Sequence, residues 1–126
     1  DKEYGSYSGI VYRYGDFLSK TPNYVSTSDK IQGALNIADK SNPYEKAYNI
    51  IFTNHGHKIN EMQKRLGFKF AESESEILLD SSKSYVELVD STPQLNRLRE
   101  QFYQEFSKAH PNCNLEDVKL NFWQEV

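Results

Sequence analysis

At 126 residues the chain is sized for one compact domain, which buries roughly 65% of its unfolded surface and needs neither metal nor disulfide staples. Lys plus Arg is 15 and Asp plus Glu is 18, a net charge of -3 that argues against generic affinity for nucleic acid or anionic membranes. The charge is uneven: residues 1–70 hold ten basic and seven acidic side chains (+3) and residues 71–126 hold five and eleven (-6), so an anionic small ligand is drawn to the first part.

In chain order, Asp1 to Gly9 is polar and lacks the basic-then-apolar order of a signal peptide, and no apolar run reaches the roughly 20 residues of a membrane span. A start without Met fits a domain cut from a longer protein, and the lone Cys113 fits a reducing compartment. Ile10 to Tyr14 is β-branched and aromatic and ends at Gly15-Asp16, which predicts a strand and a turn with Arg13 inside the strand. Tyr24-Val-Ser-Thr-Ser28 predicts a short extended stretch. Ser28 or Asp29 then caps a helix with Ile31, Ala34, Leu35 and Ala38 on one face. Asn42-Pro43 breaks that helix, and Tyr48 to Thr53 predicts a central strand because it lacks polar alternation.

Asn54-His55-Gly56-His57 reads as a turn, followed by a short helix to about Leu66. The acidic stretch through Asp80 and the segment Tyr85 to Val89 predict two strands joined as a hairpin across Ser81-Ser82-Lys83. Leu95, Leu98, Phe102 and Phe106 share a helical face over residues 91–108, with Ser91 or Thr92 as N-cap and Pro93 in the first turn. Val118 to Val126 alternates as a closing strand. Helices and strands mix without βαβ regularity, which predicts an α+β fold with a mostly antiparallel sheet over residues 1–126.

The glycines form neither a dinucleotide fingerprint nor a phosphate loop. His55 and His57 have no Cys or carboxylate at finger spacing, so turn and capping roles are expected and no metal. His110 and Cys113 beside a proline loop lack partners at ligand spacing in the same way. Glu72, Glu74 and Glu76 differ in kind. On a strand they lie on one face roughly 7 Å apart and repel one another, a cost that a surface edge, cations or a function must offset. Ser26 and Ser28 also share a face, and a guanidinium inside a short hydrophobic strand, Arg13, is unusual without an anionic partner.

Tyr12-Arg13 on a strand, Tyr24-Val-Ser-Thr-Ser28 leading into a helix, and Glu74-Ser-Glu76-Ile-Leu-Leu79 before a turn resemble, in that order, the Arg, Ser-Thr-Ser and Glu-x-Glu motifs of the mono-ADP-ribosyltransferase toxins. The likeness covers residues 10 to about 89, is closest to the cholera and pertussis toxin branch, and includes Gly56-His57-Lys58-Ile59. It implies the split β-sandwich of that family, NAD as co-substrate without metal, and transfer of ADP-ribose to an arginine of a target protein. By resemblance Glu76, Glu74, Ser26 and Arg13 are catalytic, and Arg13, Ser26, Thr27, Ser28 and Glu76 bind NAD. Arg13 suits the pyrophosphate or the nicotinamide-side ribose, Ser26 holds Glu76, and Glu76 accepts from the ribose 2′-hydroxyl.

Thr27 points to the opposite face as a strand residue, and Ser28 supports or caps. Glu74 goes with arginine acceptors. Phe68 and Phe70 correspond by location to a target-recognition segment, with a core role as the alternative, and Tyr44 and Lys46 are further candidates for contact with nicotinamide and phosphate. The implied setting is a delivered bacterial effector or the C-terminal toxin cassette of a secreted protein, acting in a target cell's cytoplasm, with a cognate immunity protein and no nucleic-acid or membrane partner. An NAD glycohydrolase and a silent interaction domain of the same fold are the alternatives.

Overall fold

The computed structural model describes residues 5–17, 24–39, 42–58, 76–80 and 83–126. In chain order these form β1 (Gly5–Tyr14), β2 (Tyr24–Ser28), α1 (Ile31–Ala38), β3 (Tyr48–Lys58), β4 (Glu76–Asp80), β5 (Tyr85–Leu88), α2 (Pro93–Ala109), a 3-10 turn (Leu115–Asp117) and β6 (Leu120–Glu125). The mixed α+β architecture agrees with the expectation. The sheet order is β1-β2-β4-β3-β6-β5, and all pairs are antiparallel except β3 with β6.

The central strand is β3. One of its edges runs along β1, while the other meets β6 from Tyr48 to Phe52 and β4 from Gly56 to Lys58. Because β1 also touches β2 at Tyr12↔Ser28, the strands β1, β2, β4 and β3 close on themselves. Alternation along the strands makes two cores. Val11, Phe17, Val25, Ile51, Ile77 and Leu79 fill the space enclosed by the strands. Tyr12, Tyr14, Tyr48, Ile50 and Phe122 pack on the other side against Leu35 of α1 and Leu95, Phe102 and Phe106 of α2.

The helix readings hold at the level of side chains. Ile31, Ala34, Leu35 and Ala38 are the buried stripe of α1 together with Gly33. Thr92 caps α2 by accepting the Leu95 amide at 3.2 Å, with Pro93 next in the first turn, where a missing N–H costs nothing. The cap of α1 is a correction: Lys30 holds that position without a side-chain cap bond, and Ser28 Oγ instead accepts the Lys30 amide at 3.1 Å, in the turn before the helix.

Three strand expectations change. β1 begins at Gly5, because Ser6, Tyr7 and Gly9 pair with β3 in spite of a composition typical of turns. Asn54 to His57 is not a turn but the continuation of β3. The pair Gly9↔Thr53 is followed by Tyr7↔Gly56, so β3 carries an extra residue at Asn54–His55, a bulge that keeps the strand paired while redirecting its side chains. Gly56 is needed there, since a Cβ would stand 2.7 Å from Ile77 Cγ2. Nor do β4 and β5 form a hairpin: β4 is flanked by β2 and β3, while β5 crosses to pair with β6. The helix expected up to about Leu66 lies outside the described residues.

Candidate active site

The short strand β2 runs antiparallel to β4 in the register Ser26↔Leu78, Thr27↔Ile77, Ser28↔Glu76. Val25 and Thr27 face the enclosed core with Ile77 and Leu79, which leaves Ser26 and Glu76 together on the opposite face. Ser26 Oγ donates a short hydrogen bond to Glu76 Oε2. Thr27 Oγ1 donates to the Ile77 carbonyl at 2.7 Å and is buried, so its hydroxyl ties the two strands together from inside. Ser28 is buried as well, at the start of the turn into α1.

Arg13 reaches the backbone of β2 from β1. Its Nη1 donates to the Ser26 carbonyl at 2.8 Å and its Nε to the Asp16 carbonyl at 3.3 Å. Burial lowers the guanidinium pKa from its ordinary value, and the nearby Asp16 carboxylate opposes that shift. At the far end of the strand Gly15, at φ +121°, allows the sharp exit. Asn49 Nδ2 donates to the Gly15 carbonyl at 2.7 Å and its Oδ1 accepts from Trp123 Nε1 at 2.9 Å. These bonds brace the stretch carrying Arg13. A cavity of about 240 Å³ opens beside it, lined in part by Asp16, Phe17, Asn49 and Trp123.

Three residues far apart in the sequence are thus joined in one hydrogen-bonded chain, Arg13 to Ser26 to Glu76. Glu74, Phe68 and Phe70 lie outside the described residues. Tyr44 and Lys46 lie before β3: Tyr44 packs on the helix-side core, while the Lys46 amide donates to the Tyr14 hydroxyl at 3.2 Å and its side chain runs beside Gly15. His110 lies behind the sheet, with Nε2 3.1 Å from Asp39 Oδ1 and its ring against Phe106. Among the described residues no three His, Cys, Asp or Glu side chains converge as metal ligands.

A second polar cluster was not legible beforehand. The Glu125 side chain on β6 is 3% exposed and accepts from Thr53 Oγ1 at 2.9 Å, the Asn54 amide at 3.3 Å and the Tyr85 hydroxyl at 3.4 Å, and it also bonds His55 Nδ1. An ionised carboxylate only accepts, so the proton is on Nδ1 and the 56% exposed imidazole presents Nε2 outward. Burial pushes the Glu125 carboxyl up, but the bonds from His55, Thr53 and the Asn54 amide outweigh it and hold the pKa below its ordinary value. Burial also drives the Tyr85 hydroxyl up to about 12. The cluster fastens the β3 bulge to the last strand. The one advance signal is that Glu125 shares a strand face with Trp123, on the side opposite Phe122.

No protein-family model matches the chain, and no curated protein and no solved structure matches it.

Proposed function

We propose that the chain is an NAD-dependent mono-ADP-ribosyltransferase with the split β-sandwich fold of that toxin family, transferring ADP-ribose to an arginine of a target protein. The observation that carries this reading is the chain Arg13–Ser26–Glu76, in which the residues named by the three sequence motifs meet through hydrogen bonds. Arg13 holds the backbone of the β2 strand so that Ser26 can hold Glu76, and Glu76 is left half-buried with a carboxylate oxygen to offer a ribose.

In the reaction the bond between the ribose C1′ and the nicotinamide nitrogen breaks, and its electron pair leaves with neutral nicotinamide. Glu76 accepts a hydrogen bond from the ribose 2′-hydroxyl and sets negative charge beside the developing oxocarbenium ion, the electrostatic device of glycosidases. A guanidinium nitrogen of the acceptor then bonds to C1′. Its proton passes to Glu74, which the resemblance assigns to orienting an otherwise poor nucleophile.

In this reading the protein is a bacterial effector or toxin cassette working in a target-cell cytoplasm, with NAD and a protein arginine as substrates. An immunity protein would act by covering the Glu76 face. Incubation with biotin-labelled NAD and bacterial or eukaryotic lysate tests the reading. Labelled bands are expected from the wild type, lost in Glu76→Ala and Glu74→Ala and removed by an arginine-specific ADP-ribose hydrolase. Nicotinamide release dependent on Glu76 but indifferent to Glu74, without label, would identify a glycohydrolase. A folded protein that neither binds nor cleaves NAD would leave a silent interaction domain.

A further inference from the structure

β5 ends the sheet: β6 pairs along one of its edges, and among the described residues nothing pairs along the other. The phase of the ladder fixes what that free edge presents. The Val126 amide donates to the Ser84 carbonyl at 3.0 Å, which makes Ser84 and Val126 a hydrogen-bonded pair. By the alternation of an antiparallel ladder, Val86 with Gln124 and Leu88 with Phe122 are hydrogen-bonded pairs too. Tyr85 and Glu87 therefore turn their N–H and C=O groups outward. Neither a proline nor a bulge keeps a neighbouring strand off. Beside this edge Val86 is 46% and Val89 82% exposed, large apolar side chains left in water.

We infer that the free edge of β5 pairs antiparallel with β5 of a second copy of this chain, joining two sheets across a two-fold axis. Outward groups bond only to outward groups, which excludes an axis passing between residues. An axis on Glu87 sets two carboxylates directly opposite each other, and one on Tyr85 or Leu88 overlaps the strands by that residue alone. An axis on Val86 avoids both. It pairs Tyr85 with the partner's Glu87 in both directions, each pair exchanging two main-chain hydrogen bonds, and it covers Val86 with the partner's Val86. Lys83, exposed just before the strand, then stands diagonal to the partner's Glu87, so opposite charges meet on both sides of the axis. A contact this short lies at the small end of specific interfaces, and the dimer is a weak one, with a Kd of about 10 to 100 μM. β3 and β6 separate this edge from the strands of Ser26 and Glu76, so the pairing is independent of the reaction proposed there.

The test is sedimentation equilibrium of the full chain from about 10 μM to about 1 mM, a range that brackets this Kd, with Tm measured for every variant. The wild type is expected to pass from monomer to dimer. Val86→Lys, a charge at an exposed edge position, raises the Kd about 10-fold or more. Glu87→Lys and Lys83→Glu each bring like charges together and weaken association about 10- to 100-fold on their own. An equimolar mixture of those two variants restores opposite charges on both sides of the axis and associates as well as the wild type. A wild type that stays monomeric at the highest concentration would overturn the inference and leave the edge to a different protein. A dimer indifferent to all three substitutions would overturn it by placing the two-fold elsewhere. A mixture of folded charge variants that remains monomeric would overturn it as well.

Discussion

Glu76 and Glu125 are both glutamates of the same sheet, and their surroundings are opposite. Glu125 is sealed between β3, β5 and β6 and takes hydrogen bonds from two hydroxyls, a backbone amide and an imidazole, so its acceptor positions are filled by the protein. Glu76 stands half-buried at the start of β4, where among the described residues one serine hydroxyl donates to it. A saturated buried carboxylate holds elements together, since its removal strands every donor around it. A carboxylate held by one partner keeps acceptor capacity for a substrate. The difference separates the residue that stabilises from the residue proposed to react, and charge or strand position alone does not make that distinction.

The comparison breaks most readily at Glu125. Glu125→Ala leaves the Thr53 and Tyr85 hydroxyls and the Asn54 amide without their acceptor, and a loss of about 3 kcal/mol is expected, a fall in Tm of roughly 10 °C by calorimetry. Nicotinamide release assayed below that Tm should stay within about tenfold of wild type; a loss as deep as that of a Glu76 variant would erase the division of roles. The pH dependence sharpens the same point. The folded carboxyl of Glu125 titrates below its ordinary value of 4.5, so its contribution to stability is present above that value and is lost as pH falls through the folded pKa. Urea unfolding of the wild type and Glu125→Gln should therefore differ most near neutrality and converge in acid.

A smaller effect is expected at Arg13. Arg13→Lys keeps the charge but cannot hold both the Ser26 and Asp16 carbonyls, and nicotinamide release should fall about 10- to 100-fold with less change in Tm. Equal activity in the lysine variant would mean that charge, and not the forked hold on Ser26, is what the site needs. The smallest effect is at Thr27. Thr27→Val removes the buried bond to the Ile77 carbonyl and should cost about 1 kcal/mol in urea unfolding, while the KM for NAD is unchanged. A raised KM would place this hydroxyl on the substrate.

Local patterns made the two described helices and the rough places of the strands along the chain readable. The spacing of Leu95, Phe102 and Phe106, and the pairing of Thr92 with Pro93, are properties of neighbours in sequence, and the structure reproduces them. The union of Ser26 with Glu76 was legible through the motif resemblance alone, because alternation along a strand relates Ser26 to Ser28 and does not say which strand lies beside it. What was not legible depends on distant partners. Asn54-His55-Gly56-His57 has the composition of a turn, and it stays extended because β1 pairs along it and Glu125 satisfies its bulge. The hairpin expected after Asp80 fails because β5 finds a better partner in β6, more than thirty residues on in the chain, than in its sequence neighbour β4. Glu125 itself reads as the polar end of a strand, and its donors come from residues 40 to 72 positions away.

Nicotinamide release from NAD by the purified chain, followed by chromatography for the wild type, Ser26→Ala and Glu76→Gln at matched thermal stability, tests the central claim most directly. The account predicts release by the wild type, a loss of about 1000-fold in Glu76→Gln and a lesser loss in Ser26→Ala, which frees the carboxylate without removing it. Release by Glu76→Gln at the wild-type rate, or none from a folded wild type, would contradict it.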